Sequence, residues 1–175
     1  MFTEINFSKI EPTISPKFVV EDEKYKPNYA NDTDYCMDVK VKIKKRNVWN
    51  TETFEFTETD SDYDIIAPND CKTFGTGLKA SIPKGWGLFI APRSSTGFKL
   101  KCELANTLGI IDSGYRDEIK MCIHNFGTEP VMLEDGQRIC QMYMQPRYKM
   151  TPEYVEDNDA FREGDRGGGI GSTGV

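Results

Sequence analysis

Alternating apolar and polar residues in several short stretches predict β-strands. Val39-Lys40-Val41-Lys42-Ile43 and Ile119-Lys120-Met121-Cys122-Ile123 place apolar side chains on one face and mostly polar ones on the other, the period of a half-buried strand. Thr53 to Phe56 alternates weakly. Gly87 to Ala91 and Ile139 to Met144 are short apolar runs typical of buried strands. The pattern therefore predicts a mostly β protein.

Turn-forming residues separate these stretches at short intervals. They are Pro68-Asn69-Asp70, Ile82 to Gly85, Asn125-Phe126-Gly127 and Glu134-Asp135-Gly136. Many short strands with regular turns predict a sandwich, a barrel or a jelly roll. No long amphipathic helix is predicted, and Lys99 to Leu108 holds at most a short helical or irregular piece.

Length and composition favour a single domain over residues 1–175, which is long enough to bury a real core. Residues 11–34 are rich in proline and charge, Thr57 to Asp64 is acidic and polar, and both favour less ordered surface segments. Charged residues from Thr151 to Arg166 lead into a glycine-rich run that ends the chain. That run by itself favours a flexible tail, and the alternative is a wrap of backbone amides around a phosphate.

Charge and cysteine usage exclude some classes of protein. A net charge of −6 argues against a general nucleic-acid binder. No apolar run is long enough to span a bilayer, and the N-terminus lacks the layout of a signal peptide. Five scattered cysteines without metal-binding spacing predict reduced thiols in a cytoplasmic protein.

Three polar clusters stand within the predicted strands. In Pro92 to Gly97, an arginine beside consecutive hydroxyls suits phosphate oxygens, although in isolation a plain solvated turn is the better explanation. In Gly109 to Arg116, Asp112 follows apolar residues and could polarise a water, but an ordinary hairpin turn is as compatible. In Gly136 to Gln141, Arg138 and Gln141 enter a buried strand and need partners there. The sequence contains no P-loop, zinc-protease helix or nucleophile elbow.

The order of five motifs resembles that of the trimeric dUTPase family. The matching segments are Tyr35 to Val39, Pro92 to Ser95, Gly109 to Arg116, Gly136 to Gln141, and Arg166 to Gly174. Gly75 to Gly85 also looks like the connecting strand and turn of that family. The resemblance spans residue 35 to the C-terminus, with weaker support from Glu4 to Ile10 as a first strand.

This resemblance implies a fold and a reaction. Family members are β jelly rolls that assemble into homotrimers, in which each active site takes phosphate-binding motifs, a uracil-binding hairpin and a glycine-rich tail from different subunits. They hydrolyse dUTP to dUMP and pyrophosphate with Mg²⁺. Against the family pattern, residues 11–34 and 44–64 are expected to be surface insertions that could bind a protein partner, as in phage or viral relatives. Residues 151–175 are expected to form a flexible arm.

The resemblance also assigns roles to residues of this chain. Asp112 is expected to be the general base for the attacking water, and Tyr115 to stack on deoxyribose and exclude a 2′-hydroxyl. Asn106 and the backbone around Gly109 and Ile111 are expected to read uracil.

The remaining assignments concern the phosphates and the metal. The residues expected to bind phosphate oxygens are Arg93, Ser94, Ser95 and Gln141, joined by Arg166, Gly171, Ser172 and Thr173 when the tail orders. Ile170 stands where the family usually has an aromatic residue that stacks on uracil, so the stacking contribution is lost. Asp38 is expected to bind waters of the Mg²⁺ shell.

Two alternatives remain. A dCTP deaminase shares the fold and the Arg-Ser-Ser segment, but it carries a catalytic glutamate on the strand after the hairpin. Alignment places Cys122 there, and a thiol is a poor proton shuttle for deamination. The second alternative is a regulatory protein-binding module that kept the fold.

Overall fold

The structure, a computed structural model, describes residues 14–154. The expected first strand, Glu4 to Ile10, lies outside this range, and so do residues 155–175. The described residues form one short helix, α1 (Ser94–Phe98), a 3-10 turn at Glu23–Tyr25, and thirteen strands. The strands are β1 (Lys17–Val20), β2 (Met37–Lys40), β3 (Lys45–Asn50), β4 (Glu55–Asp60), β5 (Tyr63–Ile66), β6 (Cys71–Gly75), β7 (Leu78–Ser81), β8 (Trp86–Pro92), β9 (Cys102–Leu104), β10 (Gly109–Ile111), β11 (Lys120–Asn125), β12 (Val131–Glu134) and β13 (Arg138–Pro146).

The prediction of a mostly β protein is confirmed. The predicted strands at 87–91, 119–123 and 139–144 correspond to β8, β11 and β13. In β11 the alternation has the expected consequence, because Met121 and Ile123 are buried while Lys120 is exposed.

Three local predictions were wrong in whole or in part. The strand predicted over 39–43 ends at Lys40, because the chain leaves β13 there and Lys42 forms an isolated bridge to Gly75 of β6. The weak alternation at 53–56 begins in a turn, with Phe54 in the left-handed region at φ 55°, and only its second half, Glu55 and Phe56, belongs to β4. Within 99–108 the structure places β9, which the sequence did not reveal because three residues are too few to show a period.

A four-stranded sheet carries most of the candidate site residues. Its order is β10-β8-β13-β2, with every pair antiparallel. The other described sheets are β6-β11-β9, β1-β7, β12-β5 and β3-β4. All except the β3-β4 hairpin contribute side chains to one apolar cluster, whose members include Leu88, Met121, Leu133 and Ile139.

Part of the proline-rich stretch 11–34 is well integrated into the fold. Strand β1 pairs with β7, and the Tyr25 ring is fully buried. The Tyr25 hydroxyl donates to Asp135 at 2.8 Å, and Asp135 also accepts from the Ile43 amide at 2.8 Å and pairs with Lys24. Burial alone would raise the pKa of Asp135, but these three hydrogen bonds outweigh it and hold the pKa below its usual value.

The stretch 44–64 contains the hairpin β3-β4, whose strands pair from Lys45↔Asp60 to Asn50↔Glu55. Strand β4 is exposed along its whole length. Trp49 and Phe56 stack edge to face with ring centroids 5.0 Å apart, yet both rings are exposed. Whether 11–34 and 44–64 are insertions relative to other family members stays a prediction. Among the described residues, no helix combines the length and apolar character needed to cross a membrane.

Candidate functional site

The Ile139 carbonyl of β13 anchors the Arg-Ser-Ser segment. It accepts two hydrogen bonds, from the Arg93 amide at 3.1 Å and from the Thr96 hydroxyl at 2.6 Å, and so holds the end of β8 and the start of α1. On the β2 side of the same strand, Arg138 pairs with Lys40 and Cys140 with Val39, so Ile139 is an extra residue in a β-bulge.

Thr96 was missing from the sequence-derived site. Its side chain is 1% exposed, and its hydroxyl satisfies a buried carbonyl instead of facing solvent. The only signal in the sequence was a third hydroxyl after two serines, and nothing there indicated that this one would turn inward. With Thr96 as the anchor, Ser94 is exposed and Ser95 is half-buried at the beginning of α1.

The structure brings Asp38, Arg93 and Gln141 together, as the resemblance implied. Gln141 lies opposite Asp38 of β2 and Ala91 of β8, and its amide donates to the Pro92 carbonyl at 3.3 Å. The side chain of Arg138, for which the sequence required a partner, donates to Asp38 at 2.8 Å. Arg93 forms an ion pair with the other oxygen of Asp38, which lies 2.8 Å from its Nε.

Asn106, Gly109, Ile111, Asp112 and Tyr115 form a second group around β10. Within the described residues β10 pairs only with β8, so the backbone groups of its other edge are not used by the sheet. Such groups can read the edge of a planar base. The Asn106 amide donates to the Leu108 carbonyl at 3.3 Å, which fixes the turn before the strand.

The turn after β10 is held by its own hydrogen bonds. The Tyr115 amide donates to the Asp112 carbonyl at 3.0 Å, and the Tyr115 hydroxyl donates to the Glu118 carbonyl at 2.8 Å. Arg116 donates to the carbonyls of Ser113 and Tyr115, each at 2.7 Å. Asp112 itself is exposed, so the turn presents its carboxylate to solvent from a fixed backbone.

The two groups lie far apart within one chain. Ile111 is opposite Leu88, so Asp112 is level with Gly87, near the beginning of β8, whereas Arg93 follows its end. Six residues of strand separate them, roughly 20 Å at the usual rise per residue. A carboxylate and a guanidinium at this distance do not serve the same phosphate group.

A cleft of about 350 Å³ lies elsewhere, between the β3-β4 hairpin and β6. Several of its lysines already have acidic partners: Lys42 pairs with Glu21 and Glu118, Lys45 with Glu58, and Lys72 with Asp64. Paired lysines have less charge to offer an anion, so this cleft is a weaker candidate for phosphate binding than the end of β8.

The described part of the chain contains no cluster of three or more His, Cys, Asp or Glu side chains that could hold a metal ion. The acidic residue expected near Mg²⁺, Asp38, has both oxygens engaged by arginines. All five cysteines are free thiols. The fifth-motif residues Arg166, Ile170, Gly171, Ser172 and Thr173 lie outside the described residues.

Comparisons with known proteins show the family and the fold. The family model for dUTPase matches residues 58–174. A deoxyuridine 5′-triphosphate nucleotidohydrolase of Escherichia phage T5 is 40% identical over 119 residues, covering 67% of this chain and 78% of that protein. The enzyme of the same name from Clostridium novyi is 33% identical over 144 residues, covering 78% of this chain and 100% of its relative.

Solved structures share the fold at lower identity. A variant of the Staphylococcus bacteriophage 80alpha dUTPase with dUpNHpp superposes with a TM-score of 0.71 at 18% identity, covering 93% of this chain and 100% of that one. A phage phi11 dUTPase variant that coordinates a structural Mg(II) ion gives a TM-score of 0.64 at 16% identity, with 83% and 99% covered.

Fold and site together define an all-β jelly-roll protein with side chains suited to phosphate binding at one end of a sheet whose edge strand, within the described residues, is β10. The predicted jelly-roll class is confirmed by the solved relatives. The chain belongs to the dUTPase family.

Proposed function

We propose that this protein hydrolyses dUTP to dUMP and pyrophosphate. The observation that carries the proposal is the convergence of Arg93, Gln141 and Asp38 from three neighbouring strands in a chain of this family. A guanidinium and an amide at one point offer N–H donors to phosphate oxygens. The exposed hydroxyl of Ser94 and the half-buried one of Ser95 extend this surface.

Asp112 would act as the general base. Its carboxylate would orient a water against the α-phosphorus and take the proton as the new P–O bond forms. The bond from the α-phosphorus to the bridging oxygen would break, and pyrophosphate would leave with that electron pair. Catalysis would rest on positioning and charge neutralisation, because no covalent intermediate is needed.

Specificity would come from the segment 106–115. Asn106 and the free edge of β10 around Gly109 and Ile111 would read uracil. Tyr115 would pack on the sugar and crowd out a 2′-hydroxyl. The hydrogen bond from the Tyr115 hydroxyl to the Glu118 carbonyl supports this role, because a ring that is held in place excludes a larger sugar more strictly.

The fifth motif would complete the site from the C-terminal arm, 151–175. Arg166, Gly171, Ser172 and Thr173 would bind the terminal phosphates, and Ile170 would cover the base without aromatic stacking.

Mg²⁺ is proposed as the accompanying ion, which would neutralise charge on the triphosphate when bound. The described residues do not form a metal cage, and the Asp38 oxygens are already paired with arginines. The residues seen here therefore do not fit a protein-held metal, and no step of the reaction is assigned to it.

A homotrimer is proposed because one chain keeps Asp112 and Arg93 apart. The separation along β8 means that a working site needs Asp112 from one subunit and Arg93 from another. Closed assemblies in which a patch of one subunit meets a different patch of the next form rings of this kind.

The remaining proposals concern environment and partners. The free thiols support a reducing, cytoplasmic location. The exposed rings of Trp49, Phe54 and Phe56 on the β3-β4 hairpin support a protein-binding surface there, because clustered exposed aromatics favour association.

The reaction is tested with Asp112→Asn, which keeps the size of the side chain and removes the base. Release of pyrophosphate from dUTP should fall by at least ~100-fold, while dUTP binding persists. The control is Asp117→Asn, an exposed carboxylate of the same turn, which should keep full activity. Wild-type protein should prefer dUTP to dTTP, dCTP and UTP. Normal turnover by Asp112→Asn would refute the assignment of the base.

A further inference from the structure

The carboxylate of Asp38 is buried between two arginines. Asp38 is 7% exposed. Its Oδ1 lies 2.8 Å from Arg93 Nε in an ion pair, and its Oδ2 accepts a hydrogen bond from a terminal nitrogen of Arg138 at 2.8 Å. A buried charge is tolerated only when it is paired and hydrogen-bonded. One ion pair and one charge-assisted hydrogen bond therefore hold the carboxylate between the two guanidinium groups.

Each arginine keeps donors for a further partner. A guanidinium has five N–H donors, and Arg93 donates from one terminal nitrogen to the Arg138 carbonyl at 3.3 Å while its Nε side faces Asp38 in the ion pair. Arg138 donates to Asp38 through a single terminal nitrogen. The two side chains are 28% and 45% exposed, so their outer parts reach solvent beside Ser94.

The charges of this triad do not cancel. The triad contains two positively charged arginine side chains, and one carboxylate neutralises only one of them. The end of β8 therefore keeps a net positive charge, carried on two planar donors whose orientation is set before any ligand arrives.

We propose that Asp38 is a positioning residue that sets Arg93 and Arg138 as a pair of cations toward the phosphates, and that Arg138 is a further phosphate-binding residue. The inference rests on the proposed function and extends it to two residues. Because these donors are already oriented, less side-chain conformational entropy is lost when the triphosphate binds.

This role differs from that of a ligand to a metal shell in one measurable way. Two arginines held by a carboxylate bind phosphate oxygens whether or not a divalent cation is present. A residue that acts by holding waters of a Mg²⁺ ion contributes only when the ion is there. The dependence on Mg²⁺ therefore separates the two roles of Asp38.

The first experiment measures binding of dUpNHpp to wild type and Asp38→Asn, once with Mg²⁺ and once with excess EDTA. Asparagine keeps one acceptor oxygen but loses the charge and one arginine bond. We expect affinity to fall about tenfold or more under both conditions, since hydrogen bonds to charged groups are of this size. A loss confined to the Mg²⁺ condition would assign Asp38 to the metal shell and overturn the inference.

The second experiment tests Arg138 with Arg138→Gln and Arg138→Lys. Arg138→Gln should weaken dUpNHpp about tenfold and leave dUMP nearly unchanged, because dUMP lacks the outer phosphates. Arg138→Lys should recover part of the lost affinity, because lysine restores the positive charge but not the planar set of N–H donors of a guanidinium. An equal loss for both ligands would show a merely structural role. The matched control is Arg147→Gln, an exposed arginine just after β13, which should bind like wild type.

Inorganic triphosphate distinguishes failure of this inference from failure of the proposed function. If wild type binds inorganic triphosphate but not dUpNHpp, and Asp38→Asn and Arg138→Gln both lose triphosphate binding, the proposed substrate is refuted. The proposed role of the two arginines is then supported. If wild type and both variants bind dUpNHpp with the same affinity, the proposed role of the two arginines is refuted. The proposed substrate is then supported.

Discussion

Two glycines show how residue-level constraints divide into backbone and packing contributions. Gly77 and Gly85 both adopt left-handed backbone, with φ of +67° and +86°, which a residue with a Cβ reaches only at a cost. A Cβ on Gly77 would lie 2.5 Å from a ring carbon of the buried Tyr25, whereas a Cβ on Gly85 would meet nothing within 4 Å. The chain therefore contains a crowded and an open version of the same turn conformation.

Gly77→Ala should destabilise the protein much more than Gly85→Ala. The left-handed backbone costs an alanine about 1 kcal/mol in either position, and overpacking against Tyr25 adds roughly 2 kcal/mol at Gly77 alone. Urea denaturation at matched protein concentration measures both free energies of unfolding. Equal losses would mean that the Tyr25 ring moves aside at no cost.

At the scale of elements, the chain separates a shared core from a hairpin that stands apart from it. Strands of four sheets pack into one apolar cluster, while β3-β4 forms its own two-stranded sheet. The hairpin is tied to the rest partly through Arg46, whose guanidinium lies 4.3 Å from the Tyr63 ring centroid. Because Lys45 and Asp60 are direct partners at its base, a short turn can replace everything beyond them.

Replacing residues 46–59 by two glycines should leave the fold and the dUTP hydrolysis intact. Only half-buried or exposed side chains are removed, and the cation–π contact contributes about 1 kcal/mol. The melting temperature should fall by no more than roughly 5 °C. Unfolding can be followed by fluorescence of Trp86, the only tryptophan left. Ile66→Ala, a fully buried residue of neighbouring β5, is the control, with an expected loss of about 3 kcal/mol. Aggregation or lost turnover in the shortened protein would show that the hairpin is part of the folding unit.

At the scale of the whole molecule, the decisive feature is the distance between Asp112 and Arg93. Arg93 follows the C-terminal end of β8. Asp112 follows the neighbouring strand β10 and lies beside the N-terminal part of β8. Within one chain, Asp112 and Arg93 lie too far apart to contact the same phosphate group. An assembly that apposes the β10 turn of one subunit to the Arg93 end of another solves this.

Two inactive variants should therefore restore each other when they are refolded together. Asp112→Asn and Arg93→Ala are each expected to lose turnover, but a mixed assembly contains interfaces with an intact Asp112 and an intact Arg93. Random mixing in equal amounts should recover about a quarter of wild-type activity, because both neighbours of a site must be the right ones. Mixing without refolding provides the baseline. No recovery after refolding would place both residues in the same subunit's site.

Sequence reasoning predicted elements well where a pattern was long enough to be periodic. Strands β8, β11 and β13 followed from apolar runs or alternation, but three-residue β9 carried no detectable period. The end of β2 at Lys40 was also missed, because Val41 and Ile43 continue the alternation after the chain has moved to a different partner strand. An alternating pattern reports which face is buried, and it does not report which strand is the neighbour.

The candidate site divides in the same way. Residue types and their order along the chain were sufficient to nominate Asp112, Arg93 and Gln141 and to indicate the family. They could not show that Thr96 turns inward to the Ile139 carbonyl, or that Asp38 pairs with two arginines. Those contacts join residues tens of positions apart along the chain.

The sequence by itself determined the β class, the family and the identity of the polar groups that the site can use, because these depend on local patterns and residue chemistry. Only the tertiary structure decided which of these groups meet. Strand order brings Asp38, Arg93, Arg138 and Gln141 to one point, and the antiparallel register of β10 on β8 carries Asp112 away from them. Distances across a sheet are set by pairing, and pairing is a property of the whole fold.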